Sequence, residues 1–282
     1  MKVIARFSIL KWCGGLMHKL QIKQIFPTPA EGMSSQCQHL ESIFEYPLGD
    51  DYFYIDHGED YFQFFKQIGR PVVYAALDGE KVVAVGAGII REAPLFTGSS
   101  KKSKIWYLCD LKVHPDYRGN NLTIQIFRKA FFWNYLKCQR GYGISMDPKG
   151  RENHVVKITQ RFPWTPVKFV EKLNIYQLDN AGITKFDQEI RRLIGDYGIK
   201  TNFGVKDIIL KSNQQKMQLH HMVFEKGASV GEFSEGTYMF CLPQNSSYVK
   251  KITELGIEVS STASILSHGI KSDWMFINTS EI

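Results

Sequence analysis

The residues best suited to chemistry lie in one segment, 107–130, which reads YLCDLKVHPDYRGNNLTIQIFRKA. Its pattern predicts an apolar strand, then a tight turn at Arg118 and Gly119, then a helix. The first amides of a helix have no partners inside the helix and stand at the positive end of its dipole, so the turn suits a pyrophosphate. Gly119 lets the backbone approach such a ligand closely, and Arg118 adds positive charge. The alternative is an ordinary strand–turn–helix capped by Asn120 or Asn121.

The run V-H-P-D-Y-R-G, residues 113–119, resembles the cofactor motif of the GNAT superfamily of N-acetyltransferases, V-x-P-x-[YF]-[RQ]-G-x-G-x-[GA]. The order of predicted elements on either side also resembles that family, over residues 18–179. The resemblance implies a splayed mixed sheet flanked by helices, with acetyl-CoA or another acyl-CoA as co-substrate. An amine acceptor would attack the thioester directly, and this chemistry implies no metal.

The resemblance also implies which residues would bind the cofactor. The backbone at the strand end would pair with the pantetheine arm, the amides of the turn would hold the pyrophosphate, and a later asparagine would hydrogen-bond the pantetheine. In that order, these residues are Leu111, Lys112 and Val113; Arg118, Gly119, Asn120, Asn121, Leu122 and Thr123; and Asn153. A plain helix N-cap is an equally weighted alternative for Asn153.

The chain departs from the family pattern at three positions. Asn121 and Thr123 replace the second glycine and the third small residue of the motif. Asparagine tolerates left-handed backbone better than most residues, so we expect the loop to survive with weaker or altered cofactor binding. Thr159 stands where the family often has a general-acid tyrosine, and its weakly acidic hydroxyl is a poor proton donor to a leaving thiolate.

Four residues are candidates for the general base. Relatives often carry Glu-Asp before the strand end, and here the pair is Cys109-Asp110, which leaves Asp110 as the nearest carboxylate. Strand alternation predicts that Asp110 points to the face opposite Cys109, whereas Tyr107 shares the face of Cys109. His114 has a suitable unperturbed pKa but follows the strand. A purely structural role is the alternative for each of the four.

Cys109 also raises a different chemistry. A cysteine paired with a histidine can act as a nucleophile in covalent acyl transfer. A buried strand cysteine is more often a small apolar residue, and members of the family mostly use direct attack.

Further elements are predicted around the motif. Two apolar strands, 71–77 and 81–91, are separated by Asp78-Gly79, which is a strong hairpin signal. The motif itself lies on a strand at 104–113 and a helix at 121–138. The other elements predicted in this part are strands at 18–26, 142–146 and 168–178 and helices at 35–44, 59–67 and 152–162.

The whole chain is predicted to be mixed α/β in three parts: an N-terminal extension (1–17), a GNAT-like acyltransferase domain (18–180) and a smaller C-terminal α/β domain of unknown role (181–282). Met17 is an alternative start. In the last part we predict helices at 184–197 and 246–255, strands within 206–212, 217–225 and 237–243, and two further structured segments, 258–266 and 273–282.

Composition limits the partners and the compartment. The net charge of +7 favours anionic partners, but the densest cluster, Lys101, Lys102 and Lys104, is predicted to be a solvated loop, so nucleic acid is not the expected partner. Five widely spaced cysteines without a CxxC predict reduced thiols in a cytoplasmic protein. No apolar run approaches the length of a membrane span. The pair His220-His221 has no further ligand at metal-binding spacing.

These observations leave three hypotheses. The leading one is an acyltransferase that acts on a small-molecule or peptide amine, with a homodimer as a compatible assembly. The second is a non-catalytic acyl-CoA-binding or regulatory protein on the same scaffold, which the missing tyrosine, the missing glutamate and the altered loop favour. The third is a nucleic-acid-binding role that depends on the basic charge, for which binding would be steeply salt-dependent.

Overall fold

The computed structural model describes residues 20–48, 51–96, 101–161 and 167–282. The extension predicted at 1–17 and the alternative start at Met17 lie outside the described residues. The helices are α1 (Met33–Glu41), α2 (Gln63–Ile68), α3 (Leu122–Asn134), α4 (His154–Arg161), α5 (Asn180–Leu193) and α6 (Ser247–Glu254), with short 3-10 turns at Pro115–Tyr117 and Thr279–Glu281.

The strands are β1 (Gln21–Phe26), β2 (Tyr46–Leu48), β3 (Asp51–Asp56), β4 (Arg70–Asp78), β5 (Lys81–Pro94), β6 (Lys102–Val113), β7 (Gly141–Met146), β8 (Lys168–Leu178), β9 (Tyr197–Lys200), β10 (Asp207–Leu210), β11 (Lys216–Met217), β12 (Leu219–Phe224), β13 (Thr237–Pro243) and β14 (Val259–His268).

One ten-stranded sheet organises the molecule, in the order β1-β4-β5-β6-β7-β14-β8-β13-β12-β9. Its neighbours are antiparallel except for the parallel pairs β6–β7 and β12–β13. Strand β14, from the last part of the chain, lies between β7 and β8, so the sheet is continuous across residue 180. A second, four-stranded sheet has the order β11-β10-β3-β2. The expected mixed α/β fold with a large mixed sheet is confirmed, and the boundary at residue 180 stays a prediction.

Apolar side chains on both faces of the sheet explain the long apolar runs in its strands. On β4, Val73 and Ala75 face a core that includes Tyr61 and Phe65 of the α2 region. The alternate residues, including Tyr74, pack in a separate core under α3. Strands β4–β6 are therefore covered on one face by α1 and α2 and on the other by α3. No helix in the described part of the chain is long and apolar enough to cross a membrane.

The β4–β5 hairpin forms where its turn signal predicts. Asp78 pairs with Lys81, so Gly79 and Glu80 are the two turn residues. Gly79 has φ +61°, a backbone conformation that glycine adopts without steric cost.

Several other predictions need correction. Strands β2 and β3 fall in a segment for which no element was predicted. The helix predicted over 184–197 begins earlier, because the Asp179 side chain accepts a hydrogen bond from the Gly182 amide at 2.7 Å and caps α5. It also ends earlier, at Leu193, and Tyr197 begins β9. In the predicted segment 273–282 the regular element is the 3-10 turn Thr279–Glu281.

Candidate functional site

The parallel strands β6 and β7 pair over a short stretch and then separate. Residues 106–108 of β6 pair with residues 141–143 of β7. Beyond this point, 109–113 pairs with β5, and 144–146 pairs with β14. Each strand therefore turns one unpaired edge toward the other. An unpaired edge can hydrogen-bond an extended ligand as an added strand would.

A β-bulge lies on β6 where the separation begins. Lys112 pairs with Val85 and Cys109 with Ala87, so two residues of β6 oppose Gly86 alone. Asp110, at the bulge, has φ +55°. The shift brings the Asp110 carboxylate into contact with the Tyr61 hydroxyl, in the core that Cys109 also packs against. The prediction that Asp110 points away from the Cys109 face is therefore wrong, because the bulge interrupts strand alternation.

Leu111 confirms the new alternation after the bulge. A Cβ at Gly86 would lie 3.3 Å from Leu111 and 3.2 Å from Ile126 of α3. Leu111 thus points toward α3, whereas its neighbours Asp110 and Lys112 point toward α1 and α2. Its side chain is half exposed.

Asp110 belongs to a buried ionic cluster. Its carboxylate contacts the Lys112 ammonium, whose Nζ lies 2.6 Å from Oε2 of Glu41 on α1. Glu41 is 2% exposed and Lys112 is 7% exposed, so both charges are shielded from solvent. Lys112 can balance only one of the two carboxylates.

The two carboxyl groups titrate in opposite directions. Burial, together with the charge of Glu41, raises the pKa of Asp110 well above its ordinary value. Burial alone would raise the pKa of Glu41 too, but the charge of the contacting Lys112 ammonium and the nearby His57 ring outweigh it and lower this pKa to about 2. Glu41 is therefore the charged member of the pair, and Asp110 is the member that retains a proton more readily.

The other candidate bases have structural contacts. The Tyr107 hydroxyl is buried and donates to the Glu281 carbonyl at 2.7 Å, and burial raises its pKa well above the usual value. Burial raises the pKa of Cys109 to about 12, which favours the unreactive thiol. The His114 ring accepts from the Asp116 amide at 3.3 Å and so caps the turn after β6. Tyr107, Cys109 and Asp110 thus share one face, and His114 lies past the strand.

The C-terminal 3-10 turn covers part of that face. In addition to the bond from Tyr107, the Glu281 carboxylate pairs with the Arg91 guanidinium. The Asn202 side chain donates to the Ser280 carbonyl at 2.9 Å. Ser280 is 1% exposed, so the turn is part of the interior.

The turn before α3 has the backbone shape of an anion site. Gly119 has φ +84° and Asn121 has φ +54°, so Asn121 adopts left-handed geometry at the position of the motif's second glycine. A Cβ at Gly119 would meet nothing within 4 Å, which leaves open space beside the backbone. The Asn120 side chain donates to the Tyr117 carbonyl at 3.0 Å, and the Tyr117 hydroxyl donates to Asp78 at 2.6 Å. These bonds fix the turn to the β4–β5 hairpin.

The side chains of Asn153 and Thr159 both form hydrogen bonds to nearby residues of the chain. The Asn153 side chain accepts from the Val155 amide at 3.0 Å, as an N-cap of α4 does, and donates to Asp147 at 2.8 Å. The Thr159 hydroxyl donates to the Val156 carbonyl at 2.8 Å. Binding of pantetheine by Asn153 stays a prediction.

The paired histidines are accounted for by the fold. His220 Nε2 lies 3.1 Å from the Glu235 carbonyl, and His221 Nδ1 lies 3.0 Å from the Thr279 hydroxyl. Over residues 20–48, 51–96, 101–161 and 167–282, no three His, Cys, Asp or Glu side chains group as metal ligands would.

Sequence reasoning missed Glu41, Tyr61 and His57 as members of the site. Glu41 lies at the end of α1, and the other two precede the start of α2. No spacing in the chain relates them to Asp110. The one signal was chemical: Glu41 is a charged residue at a position that faces the predicted core side of its helix, beside Leu40.

One comparison with a solved structure agrees with this topology. No family model matches the chain. The uncharacterised protein L340 of Acanthamoeba polyphaga mimivirus is 24% identical over 266 residues, which cover 89% of this chain and 78% of that protein. A solved tandem GNAT protein from the clavulanic acid biosynthesis pathway aligns with a TM-score of 0.52 and 8% identity, over 88% of this chain and 98% of its own.

A shorter match is Naa50 of Arabidopsis thaliana, solved in complex with a bisubstrate analogue, with a TM-score of 0.38 and 10% identity over 55% of this chain and 87% of its own. The tandem GNAT protein, by contrast, aligns over nearly its full length. That alignment and the separated strands β6 and β7 show that the chain has a GNAT-like fold.

Proposed function

We propose that this chain is an acyl-CoA-dependent N-acyltransferase. The observation that carries the proposal is the continuity between two features. The unpaired edge of β6 (109–113) leads into the turn with left-handed Gly119 and Asn121, and this turn directly precedes the first amides of α3. A strand edge suits the amides of a pantetheine arm, and a helix N-terminus suits a pyrophosphate. The pantetheine arm of coenzyme A would thus bind along the β6 edge, and its pyrophosphate would bind at the turn before α3.

The reaction needs a group that takes a proton from the acceptor. An ammonium must become a free amine before its nitrogen attacks the thioester carbonyl carbon. We assign this role to Asp110, the carboxylate on β6 where the strands separate. Because burial and Glu41 raise its pKa, its ionised form is a stronger base than an ordinary carboxylate.

The remaining steps need little further machinery. Attack forms the carbon–nitrogen bond, the bonded nitrogen loses its surplus proton to solvent, and collapse of the intermediate breaks the carbon–sulfur bond and releases the thiolate of CoA. Backbone amides near Leu111 are the nearest donors for the oxyanion. A thiolate is a weak base, with a conjugate pKa of about 8.5, so it can take its proton from solvent. Thr159 is not needed as an acid.

The four described cysteines support the reducing compartment that we propose. Cys37, Cys109, Cys138 and Cys241 are all free thiols. A cytoplasmic location is therefore part of this proposal.

A second candidate function is acyl-CoA binding without turnover. The contact that favours it is the bond from Tyr107 to the Glu281 carbonyl, since the C-terminal turn then covers part of the face on which an acceptor would approach. The high pKa of Asp110 also favours it, because a protonated acid removes no proton.

The experiment that separates these functions measures thiol release from acetyl-CoA in the presence of a panel of amines, with the product identified by mass spectrometry. We expect an acylated amine in stoichiometric amount with free CoA. Acetyl-CoA binding without release on any amine would favour the non-catalytic function. Release at the same rate without amine would show thioester hydrolysis instead of acyl transfer.

A further inference from the structure

A cavity of about 330 Å³ lies between α1, β3 and β10. Glu41 and His57, which are 2% and 3% exposed, line it together with the half-buried Asp56. Tyr54, Gln38 and Ser42 complete its polar lining. The volume is in the range of small-molecule sites, which is about 300–1,000 Å³.

His57 lacks the hydrogen bonds that a buried imidazole normally makes. Neither ring nitrogen has a hydrogen-bond partner among the residues that the structure describes. Its Nε2 lies 3.7 Å from Glu41, which is beyond hydrogen-bond distance. The ring packs edge-on against Tyr61, with the centroids 4.8 Å apart. A buried polar group without a partner is costly, so its presence on a cavity wall points to a ligand that bonds it.

The rest of the lining offers acceptors and few free donors. The Gln38 amide donates to the Gly58 carbonyl at 2.6 Å, and the Tyr54 hydroxyl donates to Glu45 at 2.9 Å. What remains toward the cavity are the Asp56 carboxylate, a ring nitrogen of His57 and the Glu41 carboxylate, which also accepts from Tyr46 and pairs with Lys112. A ligand that fits this lining must be positively charged and rich in hydrogen-bond donors.

The charge around Asp56 is on the acidic side. The Asp56 carboxylate lies 3.9 Å from Lys216, but Lys216 is closer to Asp207, at 2.7 Å. Lys112 pairs with Glu41 and contacts Asp110, and the buried Lys206 adds a further positive charge that acts on Glu41 and His57. Lys216 is therefore the lysine that serves two charged carboxylates.

We propose that this cavity binds the acceptor and that the acceptor is a small di- or polyamine. The carboxylates of Glu41 and Asp56 suit two ammonium groups, and His57 can accept a further hydrogen bond. Lys112 contacts both Glu41 and Asp110. An amine bound at Glu41 would therefore lie beside the ion pair that contains Asp110, the base assigned above. The acceptor role rests on the proposed function, whereas binding of the amine does not.

The test is calorimetric titration of the full chain with spermidine. His57→Phe keeps an aromatic ring among its aromatic neighbours and removes both ring nitrogens. Asp56→Asn removes the negative charge of Asp56. We expect each variant to weaken spermidine binding about tenfold, the usual effect of losing a hydrogen bond to a charged group. Asp51→Asn is the matched control, because it changes the same residue type on the same strand outside the cavity.

The outcomes are distinct. Spermidine binding that His57→Phe and Asp56→Asn weaken and Asp51→Asn does not would support the cavity site. Absence of spermidine binding to a protein that still binds acetyl-CoA would overturn this inference and leave the proposed function standing. Equal weakening by Asp51→Asn and Asp56→Asn would also overturn it, since the binding would then be diffuse surface attraction. Spermidine binding without any acetyl-CoA binding would support a cation site and contradict the proposed function.

Discussion

The ammonium of Lys112 lies 2.6 Å from the carboxylate of Glu41 and so ties strand β6 to the end of helix α1 in the interior of the protein. Both side chains are more than nine-tenths buried. The same ammonium contacts Asp110 on its own strand. Lys112 thus holds together the proposed base, the proposed acceptor cavity and the strand whose edge would bind coenzyme A.

Removing this lysine should destabilise the fold strongly. In Lys112→Met two buried carboxyl groups lose their cation, and breaking a buried ion pair costs about 3–5 kcal/mol. Urea unfolding followed by circular dichroism would measure the loss. Lys66→Met is the control, because the pair Lys66–Asp60 is about two-fifths exposed and such pairs contribute about 0–1 kcal/mol. An equal decrease of the unfolding free energy in the two variants would show that the buried pair stabilises the fold no more than the exposed pair.

Replacing the proposed base should abolish turnover and spare cofactor binding. Asp110→Asn keeps the size of the side chain and removes its basicity, so we expect the rate of acyl transfer to fall by about 100- to 10,000-fold. The affinity for acetyl-CoA, measured by calorimetry, should stay within about twofold. A rate close to that of the wild type would rule out Asp110 as the base.

The rate should also depend on pH in a defined direction. Because the pKa of Asp110 is raised, kcat/KM should increase with pH until that carboxyl group is ionised, and the midpoint should lie well above 3.8. Asp110→Asn should lack this limb in its residual activity. A wild-type profile that is flat from acid to neutral pH would contradict the assignment.

Cys109 should be dispensable for turnover. Its thiol is protonated at neutral pH, because burial raises its pKa to about 12. We therefore expect Cys109→Ala to retain acyl transfer within about tenfold of the wild type and to form no acylated protein intermediate that intact-mass spectrometry detects. A mass increase of the wild type by one acyl group, lost in Cys109→Ala, would instead establish covalent catalysis.

Glu41 should make stability depend on acid pH. Its pKa is lowered from 4.5 to about 2, so the stabilisation that its ionised form gives is present above pH 4.5 and is lost as pH falls through about 2. Glu41→Gln should flatten the decrease of unfolding free energy across this window. Glu45→Gln, at a more exposed carboxylate paired with Lys211, should alter the slope much less. Parallel curves for Glu41→Gln and the wild type would show that Glu41 does not have the lowered pKa.

Local signals predicted the elements that carry the cofactor motif. The turn at Gly79 and the start of α3 after Asn121 follow from residues that are neighbours in sequence, so the hairpin and the strand–turn–helix could be predicted. The orientation of Asp110 could not. It depends on a bulge whose partner, Gly86, lies on the neighbouring strand β5. The rule that successive side chains in a strand alternate between faces does not hold where a residue is inserted.

The non-local parts of the site were also beyond the sequence. Glu41 meets Lys112 only when α1 packs against the sheet, and the Glu281 carbonyl meets Tyr107 only because the C-terminal turn packs beneath β6. The insertion of β14 between β7 and β8 likewise depends on strand pairing across the whole chain. Such contacts follow from tertiary packing, and the hydrophobic periodicity of the sequence does not indicate them.

In the proposed function, the turn before α3 binds the pyrophosphate of an acyl-CoA. The most direct test of this binding is calorimetric titration with acetyl-CoA of the wild type, Gly119→Glu and the matched control Gly79→Glu. Both glycines have positive φ and open space beside them, at +84° and +61°, so the two variants carry similar backbone strain. We predict that the wild type and Gly79→Glu bind and that Gly119→Glu, folded by circular dichroism, does not. Absence of binding by the wild type, or equal binding by all three proteins, would contradict the account.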